Sequence, residues 1–335
     1  MAVNQTSAFT DGTASDAWQS MANRQLLERG KYALVFNMPM RKDPFNPREG
    51  KTKIWRRYEA LPLVSALSEG INPASRSKTK TDVAATMAIY GDVIEDTDFL
   101  VLTSKEGIAM ENVALLGQQM GESIDAVDRD TWTGITTHVF SNGAAVGSVN
   151  TILDQNDLDR TFRTLRNNKA RFFTPMIMAS QKVGTSPIMP SFWGMTHEDV
   201  LFDLKHLPNW RWVSEYSDAT GTIIGEVGAD KNGIRFLSSP NGKVVLDGGG
   251  SATGAGVKSN GGTSADLYST FVVGEGCAYS VELSGQNGGV IVHSFGESGV
   301  SDALDMRMTT GWKKFYVSKV VNSNFGVELF SAASL

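Results

Sequence analysis

Metal binding is the first chemistry that the residue types of this chain could support. His197, Glu198 and Asp199 stand together, and imidazoles and carboxylates are ligands for divalent cations. They are adjacent in sequence, however, and neighbouring helix positions point in different directions, so one ion cannot collect all three. His138, His206 and His293 are scattered and supply no second group of ligands. Carboxylate neighbours such as Glu95 and Asp96 do not define a general acid and base, which must flank a substrate. The stretch GGGSATGAGVKSNGG, Gly248 to Gly262, lacks the Gly-Lys-Ser/Thr ending of a phosphate-binding loop. There is no Gly-x-Ser-x-Gly elbow. Cys277 is the only cysteine, so no internal disulfide or cysteine-based metal site can form, and it reads as a small buried apolar residue. No catalytic, cofactor or metal constellation emerges, and a non-enzymatic protein is expected.

Charge offers a different chemistry. Arg76, Lys78 and Lys80 alternate with Ser and Thr shortly after Glu69, at a place where no regular structure is expected. A further run, Arg160, Arg163, Arg166 and Lys169 with Arg171 just beyond, falls on a helical pattern. Such a run forms either a solvated helix face or, if the protein encloses nucleic acid, a phosphate-contacting surface. Between Arg24 and Arg57 ten basic residues outnumber Glu28, Asp43 and Glu49, giving either a solvated terminus or a basic arm for an acidic partner.

The element that must position the first group is a ribbon. Lys51 to Leu61 and Asp82 to Asp96 read as strands, and the segment between them holds Pro62, Gly70 and Pro73, which punctuate rather than continue a sheet. At about 3.3 Å per residue each arm would reach roughly 35–45 Å. A two-stranded ribbon of that length has no core of its own, so it should lie across neighbouring subunits. Glu69, Arg76, Lys78 and Lys80 at its tip are the expected inter-subunit contacts.

Before the ribbon, Pro39, Pro44 and Pro47 forbid regular structure, after a short helical piece from Ala17 to Glu28. Beyond it, Thr103-Ser-Lys-Glu106 fits a capping box. Ala109, Val113, Leu116, Met120, Ile124 and Val127 then recur every three or four residues, predicting an amphipathic helix ending between Arg129 and Gly134. Gly134 to Val149 reads as short strands and turns. Asp154 N-caps a second helix with Leu158, Phe162 and Leu165 inward. Phe172 to Met189 reads as a strand and a loop, and Ser191 to Met195 as a buried strand. Thr196 and Asp199 cap a short helix stopped by Pro208, with Trp193, Trp210 and Trp212 clustered around it. From Asp218 to Gly299 glycine is dense and short strand candidates (222–227, 234–237, 243–246, 269–273, 290–293) flank the Gly-rich stretch, which is flexible by composition. Gly311 to Leu335 alternates again, as long strands closing onto a sheet.

The 335 residues carry 31 Lys+Arg against 36 Asp+Glu, a net charge of −5, which excludes a generally basic nucleic-acid binder but leaves a local basic face open. The first twenty residues show no basic patch followed by an apolar core, so no signal peptide is expected, and no run nears the ~18 apolar residues of a membrane span. A reducing cytoplasm is the expected folding compartment.

Three ordered blocks carry a resemblance. The first is Tyr58-Glu-Ala-Leu-Pro62, then Ala66-Leu-Ser-Glu-Gly70 with Pro73, then Ala85 to Tyr90-Gly91. The second is Gly225-Glu226 with Gly233-Ile-Arg235-Phe. The third is Val273-Gly-Glu-Gly-Cys-Ala-Tyr279, then Ser301-Asp-Ala-Leu-Asp-Met-Arg307 and Thr310-Gly-Trp-Lys313. From about Tyr58 to Phe330 the chain resembles the Enquatrovirus-type (N-four-like) major capsid proteins of tailed bacteriophages. It departs mildly at Asp302-Ala303-Leu304, where the family has Asp-Pro-Leu, and at Asp305-Met306-Arg307, where it has Asn-Gln-Arg.

The resemblance implies an α+β fold of the Hong Kong 97 type. It would comprise an N-terminal arm (1–48), an extended β-hairpin loop (49–98) and a peripheral domain (99–190) with a spine helix over 104–129. An axial domain (191–299) with the Gly-rich loop 248–262 would follow, then C-terminal strands (300–335) returning to the peripheral domain. The implied function is self-assembly through hexamers and pentamers into an icosahedral shell, in the virion, around double-stranded DNA touched only non-specifically. Assembly in the host bacterial cytoplasm is implied, with the portal protein and scaffolding or decoration proteins as partners and no membrane. Arg160, Arg163, Arg166 and Lys169 would then be the candidate DNA-facing helix, and no cofactor is implied. The Lys–Asn pairing of a covalent cross-link is not found, so non-covalent assembly is expected. A glycan-binding β protein would also explain the Gly-rich half, but not the long helix, and another oligomeric phage structural protein is the remaining alternative.

Overall fold

The computed structural model describes residues 21, 24, 26, 34–59, 61–67, 69–70, 72–104, 108–176, 187–216, 222–284, 289–295 and 304–335. Its strands, in chain order, are β1 Arg41–Phe45, β2 Thr52–Tyr58, β3 Lys80–Thr86, β4 Ala88–Thr97, β5 His138–Phe140, β6 Phe192–Thr196, β7 Trp210–Trp212 and β8 Glu226–Asp230. They continue as β9 Ile234–Ser238, β10 Val244–Val245, β11 Leu267–Val273, β12 Ala278–Leu283, β13 Gly289–His293, β14 Arg307–Val320 and β15 Gly326–Ser331. Four α-helices interrupt them: α1 Asp98–Thr103, α2 Ile108–Trp132, α3 Gln155–Asn167 and α4 Glu198–Leu204.

Two sheets organise the chain. One runs β5-β15-β11-β6-β9-β8-β7, with β10 also on β11. It is covered on both faces, so β11 (LYSTFVV) is buried at every position instead of alternating. Tyr268 and Val272 join Leu158 and Leu165 of α3 and Val200, Leu201 and Leu204 of α4 in one core. Phe271 and Val273 join Phe36, Met40 and Trp132 in a second core on the opposite face. The other sheet is built on β14, a 14-residue strand. Its one edge pairs with β13 and then β12, its other edge with β4, and β1 lies outside β12. Against this sheet packs α2, through Val113, Leu116, Met120 and Ile124 on Trp312 and Tyr316.

The apolar stripe of α2 was legible, but its beginning was not. Thr97, not Thr103, is an N-cap: its hydroxyl accepts from the Leu100 amide and opens the separate helix α1. Thr103 lies inside that helix and donates to the Phe99 carbonyl at 2.6 Å, while Glu106 lies outside the described residues. The 25-residue helix therefore runs from 108 to 132, about 37 Å at 1.5 Å per residue, and not from 104 to 129. Gly117 matters here, since a Cβ would stand 2.7 Å from the Leu26 carbonyl oxygen where the N-terminal segment crosses the helix. Of the expected piece from Ala17 to Glu28, Met21, Arg24 and Leu26 are described and helical.

Further local expectations divide. Asp154 caps α3 in a reciprocal capping box with Asp157, and Leu158 and Leu165 are buried as expected, with Phe162 half-buried beside them. The short helix α4 is capped by His197, whose Nδ1 accepts from the Asp199 amide, and not by Thr196, whose hydroxyl bonds Thr270. Pro44 does not forbid structure: it lies in β1, an edge strand, where the missing donor costs no ladder bond. Around Phe172 only isolated bridges form, Arg171 with Glu275 and Thr174 with Ser191, and residues 177–186 lie outside the described set. Trp193 lies apart from Trp210 and Trp212: it stacks on Phe173 beside one core, while Trp210 belongs to the other.

The Gly-rich stretch is pinned rather than free. Gly249 and Gly250 donate to Ala265 and Val149, Lys258 donates to Ala333, and Val257 is buried against Ala265 and Ala332. Gly249 is required by close approach, because a Cβ would lie 2.4 Å from the Val149 oxygen.

Candidate assembly surfaces

The expected ribbon exists in shorter form. Only β2 and β3 pair in it, from Thr52 with Thr86 to Tyr58 with Lys80. Seven residues per arm reach about 23 Å, not 35–45 Å. The rest of the second run turns at Met87 and becomes β4, recruited by β14 over ten residue pairs. The ribbon is stapled at its root. Trp55 packs with Phe45, Ala85 and Val281 and donates its indole N–H to Asp43 at 3.0 Å, and Arg57 donates to Asn322 at 2.6 Å. Along the arm the Arg56 guanidinium pairs with Asp82 at 2.8 Å and, through that hydrogen bond, holds its carboxyl below the usual range.

The tip shows a feature that the charge pattern did not single out. Leu61, Leu63, Val64 and Leu67 are all exposed, Leu63 at 96%. Contiguous apolar side chains in water mark an interaction surface. The signal was present in the sequence as the run Leu61-Pro-Leu-Val64, which interrupts a loop with apolar residues. Glu69, Arg76, Lys78 and Lys80 are exposed on the same tip. Arg76 is turned inward on its own loop, donating to the Pro62 carbonyl at 3.0 Å, and Lys80 closes the ladder opposite Tyr58.

The basic residues of α3 are exposed but not equivalent. Arg160 is committed to Asp157 and to the Phe140 carbonyl, and Arg166 lies over the Phe172 ring at 5.0 Å. Lys169 follows the helix in a left-handed conformation (φ 59°). Among the described residues, Arg163 is the exposed cation of the helix with no ion-pair or ring partner.

A buried joint that sequence reasoning missed holds the N-terminal segment to α2. Asp125 Oδ1 accepts the backbone amides of Val35 and Phe36, each at 2.8 Å. One turn later Asp128 accepts from Asn37 Nδ2 at 2.8 Å and from the Tyr316 hydroxyl at 2.7 Å. Trp132 completes the row, its indole N–H donating to the Phe36 carbonyl at 2.9 Å. Both carboxylates are fully buried. Burial pushes the Asp125 pKa up to about 6 against its amide hydrogen bonds, and it raises Asp128 as well.

His197, Glu198 and Asp199 do not converge on one point. His197 caps α4, Glu198 accepts from Ser238, and Asp199 accepts from Lys258 at 2.6 Å and Tyr268 at 2.8 Å. Among the described residues no group of three His, Cys, Asp or Glu side chains could hold a metal ion. Cys277 is buried in the core between the sheets, and burial pushes its thiol up to about 12, so it is a packing residue. No described helix is long and apolar enough to cross a membrane.

No protein-family model and no curated protein matches the chain. Solved structures do match it. A chain from the capsid of Ralstonia phage GP4 aligns at a TM-score of 0.61 and 10% identity, covering 90% of this chain and 89% of its own. One from the cyanophage Pam1 capsid asymmetric unit gives 0.58 and 15%, over 91% and 92%. One from the capsid of cyanophage P-SCSP1u gives 0.56 and 11%, over 90% and 89%. At such identities the shared property is the fold: this chain has the mixed α+β architecture of these phage capsid chains over nearly all of its length.

Proposed function

We propose that this chain is the major capsid protein of a tailed bacteriophage, a structural subunit that self-assembles through hexamers and pentamers into an icosahedral shell around double-stranded DNA. The observation that carries the reading is the fold correspondence with phage capsid chains, which extends over about nine-tenths of both partners. The uncovered apolar tip of the ribbon supports it, since a subunit built to overlap a neighbour must carry surface that it cannot bury alone.

Within this reading the fold is of the Hong Kong 97 type and the lineage Enquatrovirus-like. Residues 1–48 act as the arm, 49–98 as the extended loop, 99–190 as the peripheral domain around α2, 191–299 as the axial domain and 300–335 as the returning strands. Glu69, Arg76, Lys78 and Lys80 contact an adjacent subunit together with the apolar tip residues. Arg160, Arg163, Arg166 and Lys169 face the enclosed DNA. A portal protein and scaffolding or decoration proteins are the further partners, the shell forms in the host cytoplasm, and the mature site is the virion.

Electron microscopy of the purified chain, paired with sedimentation velocity, tests the reading. Closed shells or five- and six-membered rings are expected. A monomer that persists at high concentration with a scaffolding partner supplied would overturn it.

A further inference from the structure

A concave pocket at the root of the ribbon has a composition unlike the rest of this acidic chain. It encloses about 310 Å³ and is lined by Arg41, Arg56, Arg57 and Arg171, with Glu275 as its one carboxylate. Aromatic rings of Trp55, Tyr279 and Phe325 form its walls. The arginines arrive from separate parts of the sequence: Arg41 opens β1, Arg56 and Arg57 lie on β2, and Arg171 follows α3. Two are compensated within the subunit, Arg56 by Asp82 at 2.8 Å and Arg57 by Glu59 at 3.5 Å. Arg41 lies over the Tyr279 ring at 5.8 Å, and neither it nor Arg171 has a carboxylate within ion-pair reach among the described residues. Both are exposed.

Arg41 and Arg171 leave two guanidinium charges at the concavity with no carboxylate in ion-pair reach among the described residues, and like charges brought together favour the entry of an anion. The guanidinium fork matches the oxygens of a phosphate in a bidentate way that an ammonium cannot. The cations also continue outside the pocket. Arg171 follows Lys169 by two residues in the chain, and Arg163, Lys169 and Arg171 are all exposed. Several exposed positive groups suit a polyanion that can pass more than one of them better than a single small anion.

We propose that this pocket, through Arg41 and Arg171 with Arg56 and Arg57 behind them, binds a phosphodiester group of a nucleic-acid backbone without reading base sequence. The identity of the polyanion as double-stranded DNA rests on the capsid reading; the phosphate chemistry rests on the pocket alone. Binding here ties the N-terminal segment through β1, the ribbon through β2 and the end of α3 to one ligand, so DNA contact would brace the base of the ribbon.

The test uses the full chain and a short fluorescein-labelled DNA duplex of mixed sequence, titrated by anisotropy across a range of salt concentrations. The double variant Arg41→Gln/Arg171→Gln is compared with Lys205→Gln/Lys313→Gln, which removes the same charge outside the pocket. Circular dichroism confirms that both fold. Binding by the pocket variant is expected to weaken about equally for unrelated duplex sequences, and the slope of log affinity against log salt to shrink by about two, one per lost phosphate contact. The control should change far less. Equal losses in the two variants would overturn the proposal. So would a pocket variant that binds DNA normally but forms no shells in the microscope, because the pocket would then hold an acidic group of a second copy. A wild-type chain that forms no shells even with a scaffolding partner supplied, yet loses DNA binding on pocket substitution, would uphold the pocket and sink the capsid reading.

Discussion

The ribbon of β2 and β3 and the joint between residues 34–37 and α2 both attach an extended segment to the body of the subunit, and they are built in opposite ways. Along the ribbon the ladder is flanked by solvent, the Arg56–Asp82 pair is half-exposed, and the tip leaves four apolar side chains in water. At the joint the carboxylates are inside: Asp125 and Asp128 are fully buried and take two backbone amides, an asparagine amide and a tyrosine hydroxyl. Exposed ion pairs contribute little, whereas a satisfied buried network fixes one geometry and penalises any loss of a partner. The joint is complete within one subunit. The ribbon leaves its apolar tip uncovered within the subunit.

Four variants and one deletion probe that contrast, beginning with the largest effect on the folded subunit. Trp132→Ala removes a fully buried ring and orphans the Phe36 carbonyl, so a loss of about 3–5 kcal/mol in urea unfolding is expected. A loss under about 1 kcal/mol would mean that the joint is not part of the core.

Next comes the pH response of Asp125. Its folded pKa of about 6 lies above the unfolded value of about 3.9, so between those limits the folded state holds the extra proton. The contribution is therefore present in full below pH 4 and is lost as pH rises through 6, about 3 kcal/mol in all. Stability of the wild type minus that of Asp125→Asn should fall across this window. A difference that stays flat would show that the carboxylate is not desolvated as the joint requires.

Asp154→Ala removes the cap of α3 and should cost about 1 kcal/mol, read from the same unfolding curves. An unchanged midpoint would indicate that the Asp157 side of the box suffices. The smallest effect on the subunit belongs to the ribbon tip. Leu63→Ser/Val64→Ser should alter unfolding by no more than about 0.5 kcal/mol and yet prevent closed shells, as should deletion of residues 70 to 80. Normal shells from either variant would erase the proposed division between joint and ribbon.

What was legible in the chain were features with a local cause. The stripe from Val113 to Ile124, the Asp154 cap with Leu158 and Leu165 inward, and most short strands of the Gly-rich half follow from spacing and residue type, and the structure contains them. Expectations went astray where a distant partner decided between local options. The run from Asp82 to Asp96 has uniform strand character, yet β14 captures its second part and leaves only the first to the ribbon. Thr103 has the signature of a cap, but Thr97 opens a helix ahead of it. GGGSATGAGVKSNGG reads as a flexible loop until Ala265, Ala333 and Val149 bond its backbone.

The two candidate surfaces divide along the same line. The expectation of a covering partner for the ribbon comes from the sequence, because two strands around a proline- and glycine-punctuated loop cannot build a core of their own. Neither the carboxylate joint nor the arginine pocket could be read there. Asp125 and Asp128 look like the wet face of a helix, and Arg41, Arg57 and Arg171 are scattered over some 130 positions of a net-acidic chain. Burial and convergence are properties of non-local packing: which helix face meets the N-terminal segment, and which loop ends meet at the ribbon's root, is set by the two sheets and not by any window of sequence.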